Sequence, residues 1–212
     1  MRGPATRAAG RSLAALAAGV LAGCAAGRAP AGPPAELLEW AAGPVRWYLL
    51  ATDERHLRQV RSPAEAINFI ERFWRLRDPD PATDENSFRA TFASRVEAAD
   101  LLYPEGKARG SLTARGRALI LLGPPTHLQV ASESALAWDE SRRSERVETQ
   151  EVPVEVWRYP PGDLPPRYAA ALSARGRGAG VELRFHAVGE TTRLVAGEEF
   201  LELVPLVALA AE

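Results

Sequence analysis

RGRALILLGPP, Arg115 to Pro125, is the stretch whose reading decides the fold. Residues Ala118 to Leu122 form an unbroken apolar run, and Gly123, Pro124 and Pro125 stop it at once. A short apolar run bounded by Gly and Pro predicts a buried strand. A strand followed by glycine also opens many phosphate-binding loops, but such loops need consecutive free N–H groups and usually a Lys with Ser or Thr. Two prolines follow Gly123, neither has an N–H, and no GK[ST] occurs, so the turn is read as a sharp reversal with a stiff exit.

Outward from that run, the remaining elements are expected to build around it. Before it lie two helices. Ser62-Pro63-Ala64-Glu65 combines a cap serine, a proline at the first helical position and a Glu three residues after the cap. Ala66, Ile67, Ile70, Phe73 and Trp74 then recur at helical spacing, and Asp78-Pro79 ends the segment. A second helix is expected with Thr83 as cap and Asp84 and Glu85 in its first turn. Its apolar face is Phe88, Phe92, Val96, Ala99 and Tyr103. A shorter helix capped by Thr52 is expected further upstream, and helical signals begin near Glu36.

After the run come strands. Val152 to Tyr159 is one. Val181 to Val188 is another, because Val181, Leu183, Phe185 and Ala187 alternate with Glu182, Arg184 and His186. Thr191 to Val195 would return across Gly189-Glu190, a two-residue hairpin connection. The expectation is an α+β domain, with two or three N-terminal amphipathic helices packed on a small antiparallel sheet. The domain is placed at residues 36–205. Residues 132–150, charged and poor in large apolar groups, read as a mobile insertion, 173–180 as a flexible connection and 206–212 as a tail.

The first two dozen residues have a different character. Arg2, Arg7 and Arg11 precede an apolar run from Leu13 to Leu21, then Ala22, Gly23 and Cys24, with no acidic residue. A basic start, a short apolar core and small residues before a cut site make a secretory signal. The run is roughly half of the ~20 residues that a spanning helix needs. Leu21-Ala22-Gly23-Cys24 resembles a bacterial lipobox. That resemblance implies cleavage between Gly23 and Cys24, lipidation of the Cys24 thiol and acylation of its new amino terminus, an anchor of several chains. Residues 1–23 would then be the signal and 24–35, small and Pro-rich, a tether. No Asp follows Cys24, which favours the outer membrane, facing the periplasm.

Composition excludes several classes. The chain of 212 residues carries 26 basic and 27 acidic side chains, a net charge of -1, so no basic excess points to nucleic acid. One cysteine rules out an internal disulfide or a Cys-pair metal site. The three histidines are far apart, no G-x-S-x-G elbow occurs, and no cofactor is called for. The acidic run Asp78, Asp80, Asp84 and Glu85 lacks the Gly and distal Glu of a calcium loop.

Several short motifs, in order, resemble the GWxTD-domain proteins. Phe69 to Pro79, with Trp74 in it, is similar to that family's FWxxRDP segment. Pro81 to Asn86 followed by Phe88-Arg89 is similar to its next run. Gly110-Ser-Leu-Thr113-Ala-Arg115-Gly116-Arg117 stands in the place of GWxTDRGR. Ala118 to Pro125 resembles its strand and GPP turn, Gly123, Pro124 and Pro125, and Val152 to Tyr159, with Trp157, its P-x-E-x-W-x-Y strand. Ser111 and Ala114 depart from the signature Trp and Asp, so chemistry carried by those two would be missing here. The resemblance implies an exported envelope protein and names no reaction. Arg77, Asp78, Arg115 and Arg117 are the candidate cluster, read first as fold-locking pairs and second as an anionic-ligand site. The functional expectation is a non-enzymatic envelope module whose partners are the membrane, through Cys24, and another envelope protein. The insertion around Trp138 and an exposed sheet edge would be its contact surfaces. The alternative is a periplasm-facing enzyme or small anionic-ligand receptor at the GPP turn.

Overall fold

A computed structural model describes residues 32–137 and 148–209; the signal, Cys24 and Trp138 lie outside the described residues. The fold is α+β, with seven α-helices and one four-stranded antiparallel sheet among the described residues. The helices are α1 (Ala35–Ala42), α2 (Ala51–Leu57), α3 (Pro63–Arg75), α4 (Ser87–Leu102), α5 (Ala114–Leu122), α6 (Pro166–Ser173) and α7 (Glu198–Val207). The strands are β1 (His127–Ala137), β2 (Glu148–Tyr159), β3 (Val181–Val188) and β4 (Thr191–Ala196), paired in chain order.

The decisive run is a helix, not a strand. Thr113 caps α5: its hydroxyl oxygen accepts from the Gly116 N–H at 3.1 Å and the hydroxyl donates to the Gly110 carbonyl at 2.8 Å. Gly123, at φ +89°, ends it by returning its N–H to the Leu119 carbonyl. All five residues from Ala118 to Leu122 are buried. A helix covered on every side carries no amphipathic period, so its apolar run has the same appearance as that of a buried strand. The close approach around α5 depends on two glycines. A methyl group at Gly110 would lie 1.9 Å from the Ala99 carbonyl oxygen, and one at Gly116 would lie 1.8 Å from the Gly110 carbonyl oxygen.

The helix α3 starts as its capping sequence predicts, with the Ser62 hydroxyl accepting from Glu65 N–H at 3.2 Å and Pro63 in the first turn. Phe73, Trp74 and Ala66 face inward, but Ile67 points to solvent. Two other caps differ from expectation. Asn86, not Thr83, caps α4, its side chain accepting from Arg89 N–H at 2.9 Å while donating to the Trp74 carbonyl. That bond across to α3 explains the choice. Asp84 and Glu85 therefore precede the helix. Thr52 lies inside α2, whose N-terminus is closed by Asp53 accepting from Leu50 N–H at 3.0 Å. Trp40, Phe73, Trp74, Phe88 and Phe92, with Tyr48 from the turn before α2, join α1, α3 and α4 through ring contacts at 5.0 to 6.4 Å.

The sheet corrects the expected insertion. Residues 132–137 and 148–150 belong to β1 and β2, which pair from His127↔Arg158 to Ala137↔Glu148. Only 138–147 of that segment lies outside the described residues. The hairpin β3–β4 turns through Gly189-Glu190 as the sequence predicts, with Val188↔Thr191 closing it. The expected tail is shortened, since Leu206 and Val207 finish α7. The helical part is larger than two or three N-terminal helices: α5, α6 and α7 complete the core on the face carrying Trp157, Tyr159, Leu183 and Phe185.

Candidate functional site

The four candidate residues do not converge. Arg77, from the turn after α3, is a buried strut. Its Nη2 donates to Asp53 Oδ2 at 2.8 Å and to the Tyr48 carbonyl at 2.9 Å, and its Nη1 donates to the Phe73 carbonyl at 3.1 Å. The guanidinium stacks 3.7 Å from the Phe73 ring centre. Burial lowers its pKa, and Asp53 opposes the shift. Asp78 accepts from the Asp80 N–H, closing the turn that follows α3.

Arg115 and Arg117, on α5, pair with other elements. Arg115 bridges Glu155 on β2 at 2.8 Å and Glu105 at 3.2 Å, over the Tyr103 ring. Glu105 is buried and also accepts from Thr192 N–H at 3.0 Å, so one arginine ties α5 to both β2 and β4. Arg117 pairs with Glu198 at the start of α7. These are fold pins: each guanidinium is committed to carboxylates of a neighbouring element. Ser111 is fully buried; its carbonyl accepts from Trp47 Nε1 at 2.9 Å and its N–H donates to Asp100 at 2.8 Å. Trp74 and Trp157 are core residues, and Trp157 Nε1 donates to Glu155. His186 faces Glu133 at 3.6 Å on the outer face of the sheet.

Of the four candidates, Arg77 alone lines a cleft of about 510 Å³ between α4, α5, α6 and α7. The cleft adds two arginines that the sequence reading did not single out. Arg95 on α4 donates through Nη1 to the Ile120 and Leu121 carbonyls, at 3.0 and 3.2 Å, completing the C-terminus of α5. Arg167 stands exposed on α6. No Asp or Glu lines the cleft. Tyr48 donates to the Ile120 carbonyl at 3.3 Å, and Tyr168 to the Phe200 carbonyl at 2.6 Å. Burial pushes Tyr48 up to about 12 and Tyr168 higher still, so both phenols are neutral walls. A smaller cavity of about 390 Å³, by contrast, mixes Asp53, His56, Glu65 and Arg72. A lone arginine inside an amphipathic helix gives no sequence signal; Arg95 became visible only when α4 was placed against the end of α5.

The second feature without a sequence signal is the edge of the sheet. Leu128 lies opposite Trp157 and Val130 opposite Glu155, on the face that the helices cover elsewhere, yet they are 52% and 66% exposed. Among the described residues, no three His, Cys, Asp or Glu side chains are placed to hold a metal ion, and no helix is long and apolar enough to cross a membrane. No family model, curated protein or solved structure matches the chain.

Proposed function

We propose that this chain is a lipid-anchored protein of the bacterial cell envelope, fastened at Cys24 to the outer membrane, facing the periplasm, and working as a binding module for another envelope protein. The anchor rests on the lipobox-like Leu21-Ala22-Gly23-Cys24 after a basic and then apolar leader. The likeness to the GWxTD-domain proteins points the same way. The single observation that carries the binding role is the uncovered strand β1. Among the described residues it has a partner strand on one side only, and it leaves Leu128 and Val130 open on the helix-facing side. An extended segment of a partner adding to that edge would satisfy its free N–H and C=O groups and cover both side chains.

Two measurements test this reading. A palmitate analogue fed to producing cells should label the protein, and Cys24→Ala should abolish the label and release the chain from the membrane fraction. Labelling that survives the substitution, or continued sedimentation with outer membrane, contradicts the anchor. For the binding role, Val130→Pro should remove a partner that co-purifies with the parent chain from solubilised envelopes; retention of that partner contradicts the edge as the contact.

The second reading, a receptor for a small anionic ligand at the GPP turn, is favoured by one observation: Arg77 and Arg95 stand with Leu121 and Leu122 in a cleft without a carboxylate. Asp78, Arg115 and Arg117 have no part in it.

A further inference from the structure

We infer that the cleft between α4, α5, α6 and α7 binds an amphiphilic anion, a single apolar chain ending in a carboxylate or phosphate, with Arg95 and Arg167 taking the head. The inference rests on the anionic-ligand reading above and narrows it. Size comes first: about 510 Å³ falls within the roughly 300–1,000 Å³ of ligand pockets. Charge comes second. Three guanidinium groups line the space and no acidic side chain does. Arg77 is neutralised by Asp53 behind the wall, at 2.8 Å. Arg95 and Arg167 have no carboxylate partner among the described residues, so a positive charge of two faces the ligand uncompensated. Guanidinium forks suit the planar, multi-oxygen heads of carboxylates and phosphates.

Polarity of the remaining wall comes third, and it separates an amphiphile from a small polar anion. Away from the arginines the lining is mainly apolar: Phe88, Leu122, Val204, Val207 and the two tyrosine rings outweigh the hydroxyls of Ser87 and Thr91. Both tyrosine hydroxyl protons are already given to backbone carbonyls, so the rings present carbon to the ligand. A fully polar anion would leave this surface wet, whereas a hydrocarbon chain would dry it at about 25 cal/mol for each Å² covered. Pro79, Pro165 and Pro166 form part of the lining, and their fixed φ lowers the ordering needed on binding.

The test is calorimetric titration of the full chain carrying Cys24→Ala with ligands of one chain length, below their micelle-forming concentrations. Dodecanoate and dodecyl phosphate are the candidate arms, dodecyltrimethylammonium the opposite-charge arm, and acetate with inorganic phosphate the arm without a tail. Saturable one-to-one binding of dodecanoate or dodecyl phosphate is expected, the tighter of the two identifying a fatty-acid-like or phospholipid-like source. Arg95→Gln should raise that Kd about tenfold or more. Because Arg95 also closes α5, the exposed positions supply independent variants: Arg167→Glu should weaken binding several-fold, and Thr91→Trp should fill the cleft and abolish it. If neither twelve-carbon anion binds but acetate or phosphate does, the amphiphile is refuted and the anionic-ligand reading stands. If no anion binds, both fall. Equal binding of the cationic surfactant, or binding indifferent to all three substitutions, also overturns the proposal.

Discussion

Strands β2 and β3 and strand β1 share one sheet but live in different solvents. Opposite each other across the β2–β3 ladder, Trp157 and Leu183 are fully buried beneath α5 and α7. One strand further out on the same face, Leu128 and Val130 are left in water. Burying apolar groups stabilises the fold; leaving them open does not, and an uncovered, unpaired edge is a hazard for aggregation unless something uses it. The contrast separates the residues that hold this molecule together from those free to bind. It also explains why Arg115 and Arg117 are poor site candidates: they lie on α5 and pin it to the covered side.

The sharpest way to break that comparison is at its centre. Trp157→Ala should cost about 3–5 kcal/mol, since it removes a fully buried indole together with its contacts to Tyr103 and Phe185. Gly116→Ala should cost about 3 kcal/mol, because the new methyl meets backbone that cannot move aside cheaply. Urea midpoints measure both; a loss below about 1 kcal/mol in either would place the core elsewhere.

Alkaline pH probes the same interior. Tyr48 ordinarily titrates near 10 and burial pushes it up to about 12, so the folded state holds the phenolic proton more tightly than the unfolded chain does. The stabilisation is fully present below pH 10 and is lost as pH rises through about 12. Tyr159 and Tyr168 shift the same way, also through burial. The urea midpoint should fall as pH rises from about 10 to about 12, and Tyr48→Phe should flatten part of that fall. A midpoint indifferent to pH over that range would contradict the burial. At the edge the expected effect is smallest: Val130→Ser should move stability by no more than about 0.5 kcal/mol, since the side chain is mostly in water already.

The same contrast governed what could be read in advance. The strand β3 was legible because its inner residues are covered and its outer ones wet, which is what period-2 alternation records. The Ser62 cap of α3 was legible because it is local chemistry, its hydroxyl accepting from the Glu65 N–H, although the Glu65 carboxylate accepts from the Arg61 N–H instead of closing a full capping box on Ser62. The strand β1 was not, because an uncovered edge needs few bulky apolar residues and carries only Leu128 and Val130 as a faint alternation. The helix α5 failed from the opposite cause, burial on all sides. Arg77 reaches the cleft, whereas Arg115 and Arg117 are claimed by carboxylates from elements up to 81 residues away in sequence.

The most direct test of the proposed role places a photo-cross-linking residue at Val130 in the full chain, in living cells, beside a control at Ile67, an exposed position on α3. The account predicts one discrete adduct from Val130 in the envelope fraction, absent from Ile67 and lost when Cys24 is replaced by Ala. No adduct at Val130, or the same adduct from both positions, would contradict it.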